Sequence, residues 1–529
     1  MATTPKIYRR ITEHDKLIFN AAGDLIGIQN PNANGDDLDT TGLAALVSSA
    51  GNSLAIIGDS FSARWYNASG LTVDYQGKGF ITWALSKFGG GLTVISDSSI
   101  GQAQVSLTGS PTSPLVTQID AAVASGAKHL LMMGGINDVL AGVSSDTIKA
   151  AWLEILTKAK AASMRVWWCT QPGLGASSTA YTAARQAQIF ELNRWIKQQQ
   201  NTSAARRDVM VIDLAGIVQD PTSATGDWRS GYLNSTEADP KLHPAQPGAM
   251  AMGFEVARVW AASGLVSPSI LPTSNADNKA YNSASNILNT NGLLVTTGGT
   301  NGTGSASAAA WVTATVYGAY AMVSNASKLY VTVAGGTSGV TAPTHTSGTA
   351  SDGTVSWVYV GALTAAGVAG SHTVARNAGS STCATALSAR ADGFGNDQVV
   401  AIPFGANNDS HSAVTTDAKA SATIGRWYRA VCELTTQNST NLRSIRVQLA
   451  ATATSSAISN WGQLDADSDP DTAYAQELAA VVAFTKPFQY TADLGAVSNL
   501  SAVVRAFGSG AGGTVIKFGR LGLEEVAAP

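Results

Sequence analysis

Between residues 51 and 265, short apolar runs alternate with segments whose apolar residues recur at helical spacing. The apolar runs are typical of buried strands and are Leu54–Gly58, Leu92–Ser96, His129–Met133, Val166–Cys169 and Val209–Leu214. The helical segments are Leu115–Ala124, Thr147–Ala162 and Thr182–Gln199. Strands that alternate with helices form parallel sheets covered on both faces. We therefore predict a three-layer, flavodoxin-like α/β domain over residues 51–265, with ligands at the carboxyl ends of its strands.

Beyond residue 266 the helical periodicity gives way to short β-branched runs separated by Gly, Ser and Thr. This pattern predicts strands and turns. We expect a polar linker over residues 266–308, a small β-hairpin module over 309–370 and a jelly-roll β-sandwich over 371–529. Residues 1–50 carry two short strand-like pieces and are too few to fold alone.

The composition excludes several classes of partner. Charged residues make up 13% of the chain, the net charge is −3, and no basic run occurs. These values argue against nucleic acids and anionic membrane surfaces, whereas neutral partners such as sugars fit well. The N-terminus has no signal-peptide pattern and no stretch of about 18 apolar residues exists, so we expect neither a secretion signal nor a membrane span.

The cysteines do not predict a disulfide framework. Cys169, Cys383 and Cys432 are odd in number and far apart in sequence. This spacing also excludes metal sites that need two closely spaced cysteines. We expect all three to be buried as small apolar residues.

Two of three polar blocks follow predicted strands, and the third precedes an Ala- and Met-rich segment, Ala249–Ala262, that is predicted to be the last helix of this domain. The three blocks are Gly58-Asp59-Ser60, Gly135-Ile136-Asn137-Asp138 and His243-Pro244. Each block alone is compatible with an ordinary turn, and Asn137-Asp138 with an Asx turn. Together they supply a hydroxyl nucleophile, an amide donor and a general base, which acyl transfer requires.

The order and context of these blocks resemble the SGNH, or GDSL-type, esterase and lipase superfamily over residues 51–265. The resemblance implies that Ser60 is the nucleophile and His243 the general base. It also implies an oxyanion hole formed by the backbone N–H groups of Ser60 and Gly101 and by the side chain of Asn137. Two-step acyl transfer with these groups needs no metal and no cofactor.

The carboxylate that orients His243 departs from the family pattern. The usual position, three residues before the histidine, is Pro240. We predict Asp239 for this role, with Glu237 and Asp227 as alternatives, and a Ser–His dyad stays possible. Asp59 is predicted to cap a helix or order the nucleophile turn.

Asp138 is predicted to be structural. The remaining histidines are predicted to be packed or surface residues, and they are His14, His129, His345, His372 and His411.

The flanking segments have a second resemblance. The stretches IFNAAGDLIGIQNPNANGDDL and GTSGVTAPTHTSGTASDGTVSWVYVG are similar to segments of tailed-bacteriophage tail fibres and tailspikes. This resemblance implies a homotrimer in the virion, attached to tail or baseplate proteins through residues 1–50 and released by host lysis. The substrate would then be an O-acetylated capsule or O-antigen.

Two other functions are compatible with the sequence. One is a non-enzymatic glycan-binding adhesin, and the other is a free bacterial carbohydrate esterase or lipase. Trp357, Trp427 and Trp461 could stack on sugars in the β-rich half, although core packing is the commoner role of such residues.

Overall fold

The computed structural model describes residues 16–19, 25–29, 51–69, 72–97, 115–202, 209–234, 237, 241–275, 290–415, 423–451, 456–463, 477–491 and 500–526. The chain divides into two compact units, Met1–Gly51 and Asn52–Pro529. In the first unit, strands β1 (Lys16–Phe19) and β2 (Leu25–Gln29) form an antiparallel pair. None of the helices within the described ranges is long and apolar enough to cross a membrane.

The second unit begins with an α/β domain whose strands and helices alternate. Its strands are β3 (Ser53–Gly58), β4 (Tyr66–Ser69), β5 (Thr72–Gln76), β6 (Thr93–Asp97), β7 (His129–Met133), β8 (Arg165–Cys169) and β9 (Val209–Ile212). Its helices are α1 (Ser60–Ala63), α2 (Phe80–Lys87), α3 (Leu115–Ala124), α4 (Ile136–Leu140), α5 (Ser145–Ala161), α6 (Ala183–Thr202), α7 (Leu214–Val218) and α8 (Gln246–Ala262).

Five of these strands form one parallel sheet in the order β6-β3-β7-β8-β9. Counted along the domain, this order is second, first, third, fourth and fifth, which is the flavodoxin-like order. The predicted fold class is thus confirmed. In such sheets ligands bind at the carboxyl ends of the strands, at the point where the strand order reverses. Here that point is next to β3, the first strand of the sheet in the sequence, so the ligand site is expected at the carboxyl end of β3.

The rest of the unit is a large, mostly antiparallel β region. Its strands are β10 (Thr300–Asn301), β11 (Ser305–Ser307), β12 (Ala309–Ala310), β13 (Val316–Tyr317), β14 (Met322–Asn325), β15 (Lys328–Thr332), β16 (Gly336–Thr337), β17 (Thr349–Asp352), β18 (Val355–Ala366), β19 (His372–Ala378), β20 (Cys383–Ala389), β21 (Asn396–Phe404), β22 (Asn407–Thr415), β23 (Trp427–Ala451), β24 (Ser456–Gln463), β25 (Val481–Phe484), β26 (Phe488–Gln489) and β27 (Leu500–Val526).

The two longest strands, β23 and β27, pair antiparallel from Trp427 opposite Val526 to Ala451 opposite Leu500. The predicted linker over 266–308 contains β10 and β11, which pair with β19 and β20. The C-terminal part of that segment therefore belongs to the β region.

The α/β domain and the β region share a packed boundary. Strand β5 pairs in parallel with β24, from Val73 opposite Ser459 to Gln76 opposite Gln463. Trp461 is fully buried there, with its ring 5.3 Å from that of Trp83 and its Nε1 donating to Ser86 Oγ at 2.7 Å. One continuous core cluster contains residues of both parts.

The predicted packing roles of several side chains are found in the structure. Cys169, Cys383 and Cys432 are free thiols and buried. Trp357 and Trp461 are fully buried and therefore cannot serve as exposed sugar platforms, whereas Trp427 is partly exposed.

Candidate active site

Ser60 lies at the sharp turn between β3 and α1. Asp59 is the N-cap of this four-residue helix, and its Oδ1 accepts a hydrogen bond from the N–H of Phe61 at 3.1 Å. Gly58 has to be glycine, because a Cβ there would stand 2.2 Å from Ser62 Oγ and 2.8 Å from the carbonyl oxygen of Met133. The expected capping role of Asp59 is thus seen, and Ser60 begins a helix whose first N–H groups have no partner within the helix.

His243 reaches the nucleophile from the loop that precedes α8. Its Nε2 lies 2.7 Å from Ser60 Oγ, a hydrogen-bond distance for proton transfer. The Phe61 ring packs on the imidazole with 5.1 Å between ring centroids. The N–H of Asn234 donates to the carbonyl oxygen of His243 at 2.9 Å, which fixes the backbone of this loop. The structure therefore brings the predicted nucleophile and base together.

Glu237 supplies the carboxylate at the other imidazole nitrogen. Its Oε1 is hydrogen-bonded to Nδ1 of His243 and accepts from Arg64 Nη2 at 2.6 Å. Its Oε2 accepts from the backbone N–H groups of Leu242 and His243, at 3.0 and 2.9 Å. Burial alone would raise the pKa of Glu237, but the bonds to His243 and the charges of His243 and Arg64 outweigh it and lower the pKa to about 2.

The environment of His243 keeps its imidazole neutral. Burial is the largest effect and lowers the pKa of His243, whereas the hydrogen bond and charge of Glu237 work in the opposite direction. The positive charges of Arg64 and Lys78 add to the lowering, and the pKa lies below its ordinary value. A neutral imidazole with Nδ1 bonded to a carboxylate carries its proton on Nδ1, so Nε2 is free to accept the Ser60 proton.

Of the other two carboxylates predicted for this role, the structure describes only Asp227. Asp239 falls outside the described residues, and Glu237 occupies the position at Nδ1 that Asp239 was predicted to fill. Asp227 is engaged in its own turn, where Oδ2 accepts from Ser223 Oγ at 2.9 Å and Thr225 Oγ1 at 2.6 Å. The described part of the chain contains no group of three His, Cys, Asp or Glu side chains that could share a metal ion.

Asn137 lies at the same edge of the sheet as Ser60. It is the second residue of α4, which follows β7, and β7 pairs with β3 so that Met133 is opposite Gly58. Gly135 caps α4 with a φ of 114°, a left-handed conformation that favours glycine. The half-buried Asn137 is thus carried by the strand next to the nucleophile strand. Gly101 lies outside the described residues, and the oxyanion roles of Ser60, Gly101 and Asn137 stay predictions.

Two further carboxyl groups are buried behind the nucleophile turn. Asp59 and Asp138 are both fully inaccessible to solvent. Burial, together with the charge of Asp138, raises the pKa of Asp59 to about 7 even though the N–H of Phe61 works against the rise. Protonated and ionised Asp59 therefore both occur near neutral pH, and its Oδ1 accepts from the N–H of Phe61 at the helix cap.

The histidines outside the three blocks have packing environments where the structure describes them. His129 is buried on β7 with its ring 6.0 Å from that of Trp167. His345 packs on Tyr330, with 4.9 Å between ring centroids. Nδ1 of His372 contacts the carbonyl oxygen of Gly370, and Nε2 of His411 contacts Ser381 Oγ. His14 lies outside the described residues.

Comparison with known proteins identifies the domain. Residues 56–251 match the GDSL-like Lipase/Acylhydrolase family. The chain is similar to a carbohydrate acetylesterase from Sinorhizobium meliloti, with 16% identity and a TM-score of 0.30, covering 40% of this chain and 98% of that one. It is also similar to a member of the lipolytic protein G-D-S-L family from Veillonella parvula DSM 2008, with 15% identity, a TM-score of 0.27 and coverage of 40% and 98%.

A GDSL-like lipase from Bacteroides thetaiotaomicron VPI-5482 is similar at 12% identity and a TM-score of 0.28, covering 42% of this chain and 98% of that chain. No curated protein matches the sequence. The family match spans β3 with Ser60, β7 with the segment of Asn137, and the loop of His243. The α/β domain of this chain is therefore a GDSL-like esterase or acylhydrolase domain.

Proposed function

We propose that the chain is a serine esterase that removes O-acetyl groups from a bacterial surface polysaccharide as part of a phage tailspike. The observation that carries the esterase chemistry is the hydrogen-bonded chain from Glu237 through His243 to Ser60. A serine hydroxyl is a weak nucleophile unless a neighbouring base accepts its proton. Here Nε2 of His243 lies 2.7 Å from Ser60 Oγ and is such a base.

The reaction proceeds in two halves. Ser60 Oγ attacks the acetyl carbonyl while Nε2 of His243 accepts its proton, and the imidazolium formed is stabilised by Glu237. His243 then protonates the departing sugar oxygen, which leaves acetyl-Ser60. A water molecule, deprotonated by His243, attacks this ester and releases acetate. We assign the oxyanion of both tetrahedral intermediates to the Ser60 and Gly101 N–H groups and the Asn137 side chain, each typically worth ~3–4 kcal/mol.

The polysaccharide substrate is supported by the arrangement of the chain. The β region packs against the catalytic domain through β5 and β24 and through Trp461, so a polymer held by the β region would stay near the active site. Holding a polymer in this way raises the effective concentration of its esters. The low charge of the chain suits a sugar surface, and the flanking segments resemble tail fibres and tailspikes.

The esterase is tested with p-nitrophenyl esters of increasing acyl length. We expect acetate to be cleaved faster than octanoate and Ser60→Ala to abolish cleavage. Ser263→Ala, at the C-cap of α8, is the matched control and should retain full activity. Equal inertness of wild type and Ser60→Ala on every ester would reject the esterase in favour of a glycan-binding adhesin.

The substrate is tested by acetate release from purified O-acetylated capsules and O-antigens. We expect at least one acetylated polysaccharide to lose acetate with wild type and none with Ser60→Ala. Cleavage of small esters without acetate release from any acetylated polysaccharide would favour a free esterase or lipase.

A further inference from the structure

Arg64 connects the helix of the nucleophile with the loop of the base. It is the C-cap residue of α1, four residues after Ser60, and its Nη2 donates to Oε1 of Glu237 at 2.6 Å. The two side chains are mostly buried, with exposed fractions of 24% for Arg64 and 13% for Glu237. The two residues are 173 positions apart in the sequence, so this contact is a tertiary one.

One carboxylate oxygen is shared by two nitrogen donors. Oε1 of Glu237 binds both Arg64 and Nδ1 of His243, and Nε2 of His243 binds Ser60 at the start of the helix that ends at Arg64. The contacts thus close a ring: nucleophile, base, carboxylate, arginine and back to the nucleophile helix. Loss of Arg64 opens this ring and leaves Oε1 with one donor fewer.

We propose that Arg64 is a positioning residue for acyl transfer, which ties Glu237 to the nucleophile helix and offsets the carboxylate charge felt by His243. This inference rests on the proposed esterase function. Arg64 acts on His243 through its bond to Glu237 and through its positive charge.

The charged groups around His243 predict the direction in which its pKa changes when Arg64 is replaced. Glu237, in the segment before His243, favours the imidazolium; Arg64, after α1, and Lys78, between β5 and α2, disfavour it. The remaining neighbours on α1 are the Ser60 hydroxyl and the uncharged ring of Phe61. Loss of the Arg64 charge should therefore raise the pKa of His243.

A purely structural role for Arg64 predicts the opposite direction. If Arg64 only held Glu237 in place, its loss would let the carboxylate leave Nδ1, and the buried imidazole would become still harder to protonate. Without Arg64, the two backbone N–H groups still hold Oε2, so the carboxylate stays beside Nδ1 while Oε1 loses its tie to the nucleophile helix. The direction of the change in the pKa of His243 therefore separates the two roles.

The test compares Arg64→Gln, Arg64→Lys and Arg258→Gln in the full chain. Arg258 is mostly exposed and pairs with Glu255 on α8, so its replacement removes the same charge from the same domain without removing a contact of Ser60, His243 or Glu237. The pKa of His243 is measured by NMR titration of protein with labelled histidine, in which His243→Asn assigns the signal among six histidines. The pH profiles of kcat and kcat/KM for p-nitrophenyl acetate are measured in parallel.

We expect Arg64→Gln to raise the pKa of His243, to move the acid limb of kcat/KM to higher pH and to lower kcat about tenfold with KM little changed. Arg64→Lys keeps the charge and should leave the acid limb where wild type has it, and Arg258→Gln should match wild type in every measurement. An unchanged or lowered pKa of His243 in Arg64→Gln would overturn the inference. The NMR titration requires no substrate, so it decides the role of Arg64 even if no ester is cleaved and the proposed function fails.

Discussion

Replacement of Glu237 by glutamine is the sharpest probe of the catalytic arrangement. All four groups that contact the carboxylate are donors: Arg64, Nδ1 of His243 and the N–H groups of Leu242 and His243. A carboxamide has one donor end, and in either orientation that end faces two other donors. With the amide nitrogen at the Oε1 position, the imidazole is driven to the tautomer with its proton on Nε2. That tautomer cannot accept the Ser60 proton.

The expected loss follows from the charge that develops during the reaction. In the transition state His243 becomes an imidazolium, and Glu237 is the only described carboxylate hydrogen-bonded to it. Loss of the correct tautomer and of this charge typically costs ~4–5.5 kcal/mol, or about 10³- to 10⁴-fold in kcat. We expect Glu237→Gln to lose activity on this scale on p-nitrophenyl acetate, with a smaller effect on KM.

Two further variants make the assay decisive. Glu255→Gln, at the ion pair with Arg258 on α8, is the matched control and should keep wild-type kcat. Asp239→Asn tests the carboxylate favoured by the sequence and should change kcat by less than about tenfold if Glu237 orients the base. The reasoning is refuted if Glu237→Gln stays within about tenfold of wild type, and most directly if Asp239→Asn suffers the large loss instead. Thermal unfolding of every variant identifies losses that reflect unfolding.

Two other predictions concern stability. Asp59 has a pKa of about 7 in the fold against an ordinary 3.8, so folding favours its protonated form and its stability contribution falls as pH rises from about 4 to 7. Asp59→Asn keeps a capping oxygen but cannot ionise, so its thermal stability should fall less than that of wild type between pH 5 and 8. An equal fall in both proteins would contradict the raised pKa of Asp59. Trp461→Ala should destabilise the chain by ~3–5 kcal/mol in chemical denaturation because it empties a fully buried site against Trp83, and an unchanged midpoint would contradict this packing role.

Local sequence patterns predicted the parallel sheet because its strands are short, mostly apolar and separated by helices. The predicted run Leu92–Ser96 became β6 (Thr93–Asp97), a shift of one residue. The run Val209–Leu214 became a strand that ends at Ile212, because Asp213 caps α7 by accepting from the N–H of Gly216. Capping residues thus determine where a strand ends and the next helix begins, and apolar periodicity alone does not predict these boundaries.

The helix that begins at Ser60 is only four residues long. It ends at Ala63, and the chain then enters β4 and β5. Strand β5 is completed by β24, whose residues lie almost four hundred positions later in the chain. No sequence feature near β5 indicates a partner so distant in the chain, so the pairing of β5 with β24 could not be predicted.

The sequence placed Glu237 only second for the orienting carboxylate, for a related reason. The family spacing favoured a residue three or four positions before His243, whereas Glu237 lies six before it. In the structure the N–H groups of Leu242 and His243 bind its Oε2 while Oε1 faces the imidazole ring. The contact of Glu237 with Arg64 spans 173 residues and left no local signal.

The pairing of β5 with β24 also sets the order in which the enzyme can be completed during synthesis. Asp74 and Asn460, which are hydrogen-bonded across this pair, lie 386 residues apart in the chain. At ribosomal speeds of about 5–20 residues per second, roughly 20–80 s separate their emergence. The hairpin that leaves the nucleophile helix therefore waits for the C-terminal strands, and its unpaired edge is available to chaperones, or to a neighbouring nascent chain, throughout that interval.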